Sequence, residues 1–263
     1  MNILVIGRGW TGKKVYNECL NRGHSAKILS HNISEIRYDM ARNEYDYVIN
    51  CAGVTGYPNV DACESDKANT LEGNAIFPIR LSELCKEYNV RMMHFSSGCI
   101  YQGNVDDIYA PPNYFGSIYS ISKGISDSYL LSKAVVLRIR MPFTGKDEQK
   151  NYLSKVYKYA ANGRLIDGGQ NSLTDLDEAV RVSVDLVETG AINGPYNLVN
   201  QGSVNMHELA DMMGIENPNW FTPEEFRAAT VADRSTCVIR ASTLMRPVKD
   251  ALKDAIESMK NAK

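Results

Sequence analysis

The stretch Asn2-Ile3-Leu4-Val5-Ile6-Gly7-Arg8-Gly9-Trp10-Thr11-Gly12 decides the fold of this chain. Residues 3–6 form a continuous apolar run, as a strand buried on both faces of a parallel sheet requires. A G-x-G-x-x-G loop follows and leads into a helix that we expect over residues 12–21. Backbone N–H groups at the start of such a helix can bind a pyrophosphate, and glycines let that group approach closely. We therefore predict a dinucleotide-binding site whose loop residues are Gly7, Arg8, Gly9, Trp10, Thr11 and Gly12.

Strand and helix patterns alternate through the first half of the chain. Short apolar runs at 26–29, 47–50, 90–95 and 134–139 predict strands, with a long helical stretch over about 69–88. This alternation predicts an α/β protein with a Rossmann-type, doubly wound parallel sheet over residues 1–145. The regular pattern ends near residue 145, so we expect residues 146–263 to form a smaller C-terminal substrate lobe, interleaved with the sheet domain.

Composition narrows the classes of partner. The 263 residues carry a formal net charge of −2 and no basic stripe, so we expect no nucleic acid. There is no apolar run of the roughly 18 residues that predicts a membrane span, and we expect no signal peptide. The six cysteines lack C-x-x-C spacing and there are four histidines. This pattern predicts reduced thiols in a cytoplasmic protein without a metal site.

The end of the second predicted strand bears on the choice of dinucleotide. Enzymes that bind NAD usually place a carboxylate about 20 residues past the glycines, on the ribose hydroxyl. Here the strand runs into Ser30 and His31, and no carboxylate follows until Glu35. Arg8 lies inside the glycine loop, where a guanidinium can bind a 2′-phosphate. We therefore predict NADPH, contacted by Arg8, Ser30 and His31, with NADH as the alternative.

Three further residues have the chemistry to reduce a carbonyl group. A tyrosine with a pKa of about 10 donates a proton at neutral pH once a nearby cation lowers that pKa. Lys123 stands four residues after Tyr119 and therefore shares its helix face. Ser97 ends a predicted strand, at the edge of the sheet where ligands bind. A second Tyr-x-x-x-Lys at 129–133 abuts the strand at 134–139, and we assign it to structure.

With these motifs the chain resembles the extended short-chain dehydrogenase/reductases, and among them the nucleotide-sugar enzymes that make L-rhamnose. Residues 50–56 (NCAGVTG) and 58–65 (PNVDACES) are similar to the loop after their fourth strand. Residues 138–142 (RIRMP) resemble the strand that carries their nicotinamide contacts, and 231–235 (VADRS) resembles a segment that contacts substrate. The glycine loop is one residue shorter than the G-x-x-G-x-x-G that is common in this family.

This resemblance implies a fuller set of contacts. It adds to the cofactor contacts Cys51, Ala52, Gly53, Tyr119, Lys123, Arg140 and Met141. It implies substrate contacts at Val54, Asn59, Asn74, Ser97, Asn151 and Arg234.

Cys99 has no task in a simple reductase. In the family, bifunctional 3,5-epimerase/4-reductases carry a cysteine at this position, which implies that Cys99 takes protons from the carbons beside the C4 ketone. Residues 151–155 (NYLSK) resemble the segment that supplies their opposing lysine, so Lys155 is the implied acid. GDP-L-fucose synthases use a histidine in that role, and none lies between His94 and His207. A free cysteine is otherwise often a small core residue.

The resemblance implies a catalytic set of Ser97, Cys99, Tyr119, Lys123 and Lys155. The predicted function is conversion of a nucleotide-linked 4-keto-6-deoxy-D-glucose to the L-rhamnose form with NADPH, and UDP is the nucleotide that we favour. One alternative is a dTDP-4-dehydrorhamnose reductase without epimerase activity. Another is a non-catalytic NADP-binding sensor, which would not need Ser97, Tyr119 and Lys123 together. We expect a nucleotide-sugar substrate and a homodimer as partners.

Overall fold

A buried parallel sheet forms the centre of the computed structural model, which describes residues 1–261 except for the side chain at position 162. Its strands are β1 (Asn2–Ile6), β2 (Ser25–Leu29), β3 (Tyr47–Asn50), β4 (Arg91–Ser97), β6 (Val135–Ile139) and β10 (Gly194–Asn197). Among the described residues these six pair in the order β2-β1-β3-β4-β6-β10, and every neighbouring pair is parallel. The predicted Rossmann-type sheet is confirmed.

Both faces of the sheet are covered, as the apolar run at residues 3–6 predicts. Successive side chains of a strand point to opposite faces, so Ile3 and Val5 pack on one side while Leu4 and Ile6 pack on the other. The first side is covered by α1 (Trp10–Asn21) and α8 (Leu176–Glu188). The second is covered by α2 (Ile33–Met40), α5 (Phe77–Glu87) and the end of α6 (Ile118–Leu130).

The stretch that we predicted as one helix over 69–88 is divided. After α3 (Asp61–Ser65), the chain forms α4 (Lys67–Leu71), then a π-helical turn (Glu72–Ile76), and then α5. Pro78 lacks an N–H, so the ordinary helical bond to the carbonyl of residue 74 cannot form. The wider turn places the buried side chain of Asn74 against the loop after β3.

A second hydrophobic core lies outside the sheet. It is built from Phe143, Leu153, Val156, Leu209, Leu252 and their neighbours. The helices there are α7 (Tyr152–Asn162), α9 (Met206–Met213) and α11 (Val248–Asn261), while the short helix α10 (Pro223–Ala229) has no buried residue. Short parallel pairs join β5 (Gly103–Val105) to β12 (Cys237–Ile239), β7 (Pro142–Phe143) to β9 (Thr174–Asp175) and β8 (Arg164–Ile166) to β11 (Asn219–Phe221).

The chain after residue 145 contributes to both parts of the molecule. α8 packs on the sheet, and β10 adds to its edge beside β6. α7, α9 and α11 supply much of the second core. The division at residue 145 itself stays a prediction. Within residues 1–261 no helix has the length and apolar character needed to cross a membrane.

Candidate active site

The carboxyl ends of the central strands bring the predicted site residues to one edge of the sheet. β1 ends before Gly7, β3 before Cys51, β4 at Ser97, and β6 before Arg140. In a parallel sheet these ends lie side by side, and ligands bind in the crevice outside them.

The glycine loop is tightly packed at its two ends and open in its middle. Gly7 has φ +107°, and a Cβ there would lie 2.8 Å from the backbone nitrogen of Ala52. A Cβ at Gly12 would lie 1.8 Å from the carbonyl oxygen of Gly7. Within the described part of the chain, no atom lies within 4 Å of a Cβ at Gly9, and no side chain caps α1 there. Protein packing therefore requires glycine at 7 and 12, whereas at 9 it leaves room for a ligand against free N–H groups.

The residues next to this loop have contacts of their own. The indole Nε1 of Trp10 donates to the Glu148 carboxylate at 2.8 Å, while Arg8 is exposed. At the end of β2 the Ser30 hydroxyl donates to the Glu35 carboxylate at 3.0 Å, and His31 packs edge-on against Phe77. The Glu35 carboxylate therefore does lie at the end of β2, although it comes five residues after Ser30 in the sequence. The assignments of Arg8, Ser30 and His31 to a 2′-phosphate stay predictions.

Ser97, Tyr119 and Lys123 come together as predicted from their motifs. The Ser117 side chain caps α6 by accepting from the Ser120 N–H at 3.1 Å, which starts the helix just before Tyr119. Burial, and next the neighbouring Cys99, raise the pKa of the Tyr119 hydroxyl, while the nearby Ser97 hydroxyl and the charge of Arg140 lower it.

Lys123 is buried below the loop after β3. Its Nζ donates to the carbonyl oxygen of Phe95 at 3.2 Å, and burial lowers its pKa to about 8. A Cβ at Gly53 would lie 3.1 Å from both this Nζ and Oδ1 of Asn74. Glycine at position 53 thus lets the loop after β3 lie close to the Lys123 ammonium and the Asn74 amide.

Cys99 lies directly beside this cluster. It stands in the 3₁₀ turn Gly98–Ile100 after β4, half-buried, and its N–H donates to the Ser97 hydroxyl at 3.1 Å. One terminal nitrogen of Arg140 donates to Sγ of Cys99 at 3.2 Å. The other donates to Oδ1 of Asn171 at 2.7 Å and to the carbonyl of Ser235 at 2.6 Å. The cofactor contact implied for Arg140 stays a prediction.

The predicted substrate residues after β3 support the loop. Asn74 is fully buried, accepts from the Val54 N–H and donates to the Val54 carbonyl, both at 2.8 Å. The Asn59 side chain accepts from the N–H of Asp61, the first residue of α3, at 2.8 Å. Asp61 in turn accepts from Arg234 at 2.8 Å, which ties segment 231–235 to this loop.

Lys155, on α7, lines a cleft. The Asn151 side chain accepts from the Leu153 N–H at 3.0 Å and thereby caps α7, which carries Lys155 one turn later. The cleft has a volume of about 570 Å³, and Tyr57, Pro58 and Asn59 line it on the other side. Burial and the charge of Lys150 lower the pKa of Lys155. A position of Lys155 opposite Cys99 across a sugar stays a prediction.

The contact between Cys99 and Arg140 was missed by sequence reasoning. The available signal was Arg138-Ile139-Arg140, two arginines on the same face of a buried strand. A buried arginine needs a partner, and Arg138 forms an ion pair with Asp127 at 2.6 Å. Arg140 therefore called for a second partner.

This sheet, with a glycine loop and a Ser-Tyr-Lys cluster at its carboxyl edge, defines an extended short-chain dehydrogenase/reductase. Within that class, the family model described as RmlD substrate binding domain matches residues 1–243. The chain belongs to this family, and the resemblance predicted from the sequence is confirmed.

Its relatives include multifunctional plant enzymes of rhamnose synthesis. The trifunctional UDP-glucose 4,6-dehydratase/UDP-4-keto-6-deoxy-D-glucose 3,5-epimerase/UDP-4-keto-L-rhamnose-reductase RHM1 of Arabidopsis thaliana is 30% identical over 275 residues, covering 96% of this chain and 40% of that protein. The chain thus spans about two fifths of that relative. A bifunctional dTDP-4-dehydrorhamnose 3,5-epimerase/dTDP-4-dehydrorhamnose reductase of the same plant is 29% identical over 264 residues, covering 92% and 86%.

Among solved structures, the L780 UDP-rhamnose synthase from Acanthamoeba polyphaga mimivirus superposes with a TM-score of 0.89. The superposition covers 98% of this chain and 99% of that one, at 24% sequence identity. At this identity the likeness concerns the fold.

Proposed function

We propose that this chain is an NADPH-dependent 3,5-epimerase/4-reductase of a nucleotide-linked 4-keto-6-deoxy-D-glucose, with the corresponding nucleotide-linked L-rhamnose as product. The observation that carries the proposal is the position of Cys99 beside Ser97 and Tyr119, with Arg140 bound to its sulfur. The two multifunctional relatives support it, since both are named for epimerase and reductase activities. UDP is the nucleotide that we propose.

The residues present fit a dinucleotide. The open position at Gly9 and the uncapped start of α1 would hold the pyrophosphate, and the loop at Gly53, beside the Lys123 ammonium, would face the nicotinamide end. Arg8, which is exposed in the loop, would meet a 2′-phosphate. When bound, NADPH supplies a hydride to the ketone carbon.

Reduction also needs a proton at the ketone oxygen, and Tyr119 is the donor that we propose. Ser97 ends β4 near Tyr119, so we propose that its hydroxyl stabilises the same ketone oxygen. Lys123, one turn further along α6, would hold the cofactor ribose and supply positive charge beneath the phenol. Its pKa of about 8 makes its charge respond to pH in the working range.

Epimerisation uses the same oxygen as an electron sink. A thiolate at Cys99 takes the proton from C3 or C5, a C–H bond breaks, and its electron pair moves to the C4 oxygen to form an enolate. Ser97 and Tyr119 hold that oxygen. Lys155 then returns a proton from the opposite face, and its lowered pKa makes its ammonium a better proton donor.

The stereochemistry of the product tests the proposal. Purified protein is incubated with NADPH and UDP-4-keto-6-deoxy-D-glucose, and the product sugar is identified by NMR. We expect UDP-L-rhamnose, and we expect the Tyr119→Phe variant to lose NADPH oxidation. A 6-deoxy sugar that keeps the D configuration would leave only a reductase. A parallel incubation with the dTDP-linked sugar tests the nucleotide, and faster turnover of that substrate would contradict the choice of UDP.

A further inference from the structure

We infer that Arg140 is a positioning residue that stabilises Cys99 as the thiolate base and holds its sulfur toward the sugar. The inference rests on the proposed epimerase function of Cys99. Its own basis is a buried guanidinium in contact with a half-buried sulfur, at the carboxyl edge of the sheet.

Arg140 carries a positive charge in a buried position. The side chain is 1% exposed, and the hydrogen bonds described for its terminal nitrogens go to Cys99, Asn171 and Ser235. Within the described residues none of these partners is a carboxylate, and Nε of Arg140 is buried without a hydrogen-bond partner. A buried charge is costly unless an opposite charge accompanies it. The sulfur of Cys99, at 3.2 Å, is the contacting group that can become an anion.

Arg138, near the end of β6, gives an internal comparison. Arg138 is also fully buried, two residues earlier and on the same face. The fold provides Arg138 with the carboxylate of Asp127, which it contacts through Nε and a terminal nitrogen. At Arg140 the fold provides a thiol in the corresponding role. A thiol can accept and release the charge, whereas the Asp127 carboxylate keeps it.

Other ionisable groups also lie near Cys99. Among the described residues they include Tyr114, which precedes α6, Tyr119 on α6 and Cys237 on β12. Burial raises the pKa of both phenols, and it raises the pKa of Cys237 to about 11. These groups are therefore neutral acids near pH 7. Arg140 is the cation in contact with the sulfur.

Contacts of its backbone and of its side chain hold Arg140 in place. Its backbone N–H donates to the Thr174 hydroxyl at 3.0 Å, and the next residue, Met141, has φ +42°. A left-handed conformation is unfavourable for methionine, so the surrounding structure must impose it. It turns the chain sharply where β6 ends. Asn171 and the Ser235 carbonyl then fix the guanidinium from the second lobe.

This arrangement places a cation beside the negative charge that moves during the epimerisation step. When the thiolate takes a carbon-bound proton, the S–H bond forms and the negative charge moves to the C4 oxygen. Arg140 stabilises the charge on sulfur before the step, and its charge also favours the ionised form of the Tyr119 phenol nearby. Cys99 is regenerated when its proton passes to water.

The test measures how fast iodoacetamide alkylates Cys99, resolved from the other five cysteines by peptide mass spectrometry. We expect Arg140→Gln to slow alkylation at pH 7 by about tenfold or more, and the deficit to close as pH rises, because only the thiolate reacts. Arg140→Lys keeps the positive charge but lacks the planar guanidinium, so we expect its alkylation rate to lie between those of wild type and Arg140→Gln. Arg37→Gln, at an exposed ion pair with Glu87, is the matched control and should alkylate like wild type.

Alkylation of a folded Arg140→Gln protein at the wild-type rate at pH 7 would overturn the inference. If that variant fails to fold, thiolate absorbance near 240 nm decides instead, measured as wild type minus Cys99→Ala. A thiolate signal at pH 7 supports the pairing, and its absence overturns it. Neither readout needs a sugar. A protein that lacks the proposed epimerase function would therefore be recognised separately. It would give a D-configured product, while the rate of Cys99 alkylation would still depend on Arg140.

Discussion

Alanine at Gly9 separates the cofactor role of the glycine loop from its structural role. Gly9 has φ −79° and ψ −169°, which alanine adopts without strain, and nothing lies within 4 Å of the added Cβ. Alanine restricts the unfolded chain and stabilises the fold by about 0.4–1 kcal/mol. It is also a poorer helix cap than glycine, by roughly 0.5–1 kcal/mol. These terms nearly cancel, so we expect Tm to change by less than about 2 °C.

The same methyl group stands where the pyrophosphate would approach α1. Loss of one charge-assisted hydrogen bond costs about 1.5–3 kcal/mol, which corresponds to a roughly 10- to 100-fold weaker Kd. NADPH fluorescence titration measures the affinity, and a thermal melt measures the stability. Gly12→Ala is the contrasting variant, because its Cβ would meet the Gly7 carbonyl at 1.8 Å. There we expect a loss of about 1–3 kcal/mol in stability. Wild-type NADPH affinity in Gly9→Ala would refute the assignment of the loop to the pyrophosphate.

Three further predictions follow from buried or ionisable groups. Burial lowers the pKa of Lys123 from the ordinary value of 10.5 to about 8. The buried ammonium therefore destabilises the folded state below pH 8, and this destabilisation disappears as pH rises from 8 toward 10.5. Lys123→Met should therefore be more stable than wild type at pH 7 and lose that advantage by pH 10 in denaturant titrations; an advantage independent of pH would contradict this. Asp127→Asn leaves Arg138 buried without its anion and should cost about 3–5 kcal/mol of unfolding free energy, whereas Glu87→Gln, at an exposed pair, should cost under about 1 kcal/mol. Equal melting temperatures for the two variants would argue against the buried pair. Glu35→Gln removes the carboxylate that Ser30 contacts at the end of β2 and should shift the ratio of Kd values toward NADPH over NADH. An unchanged ratio would place Glu35 outside the cofactor site.

The local parts of the site were predictable because local sequence determines them. The apolar run before Gly7 produces a strand buried on both faces, and glycine at 7 and 12 is required by contacts that follow from a tight strand-to-helix turn. Tyr119 and Lys123 share a face because they are one helical turn apart. Ser97 meets them because parallel strands end at a common edge.

The parts that sequence reasoning missed depend on contacts between distant residues. Arg140 meets Cys99 across 41 residues and Ser235 across 95, and no propensity or spacing encodes those contacts. In the π-helical turn at 72–76, where Pro78 prevents the ordinary helical bond, Asn74 bonds Val54 twenty residues earlier, a contact that spacing does not encode. The contact between Ser30 and Glu35 is local instead: Asn32 caps α2 by accepting from the Glu35 N–H, next to the end of β2.

The most direct test of the central claim is the incorporation of solvent deuterium during turnover. Wild-type protein converts UDP-4-keto-6-deoxy-D-glucose in D₂O with NADPH, and NMR reads the label at C3 and C5. We expect deuterium at both carbons, its loss in Cys99→Ala, and its retention in Cys237→Ala, which changes a neighbouring buried cysteine. A product without deuterium at C3 and C5, or full labelling by Cys99→Ala, would contradict the assignment of Cys99 as the epimerisation base.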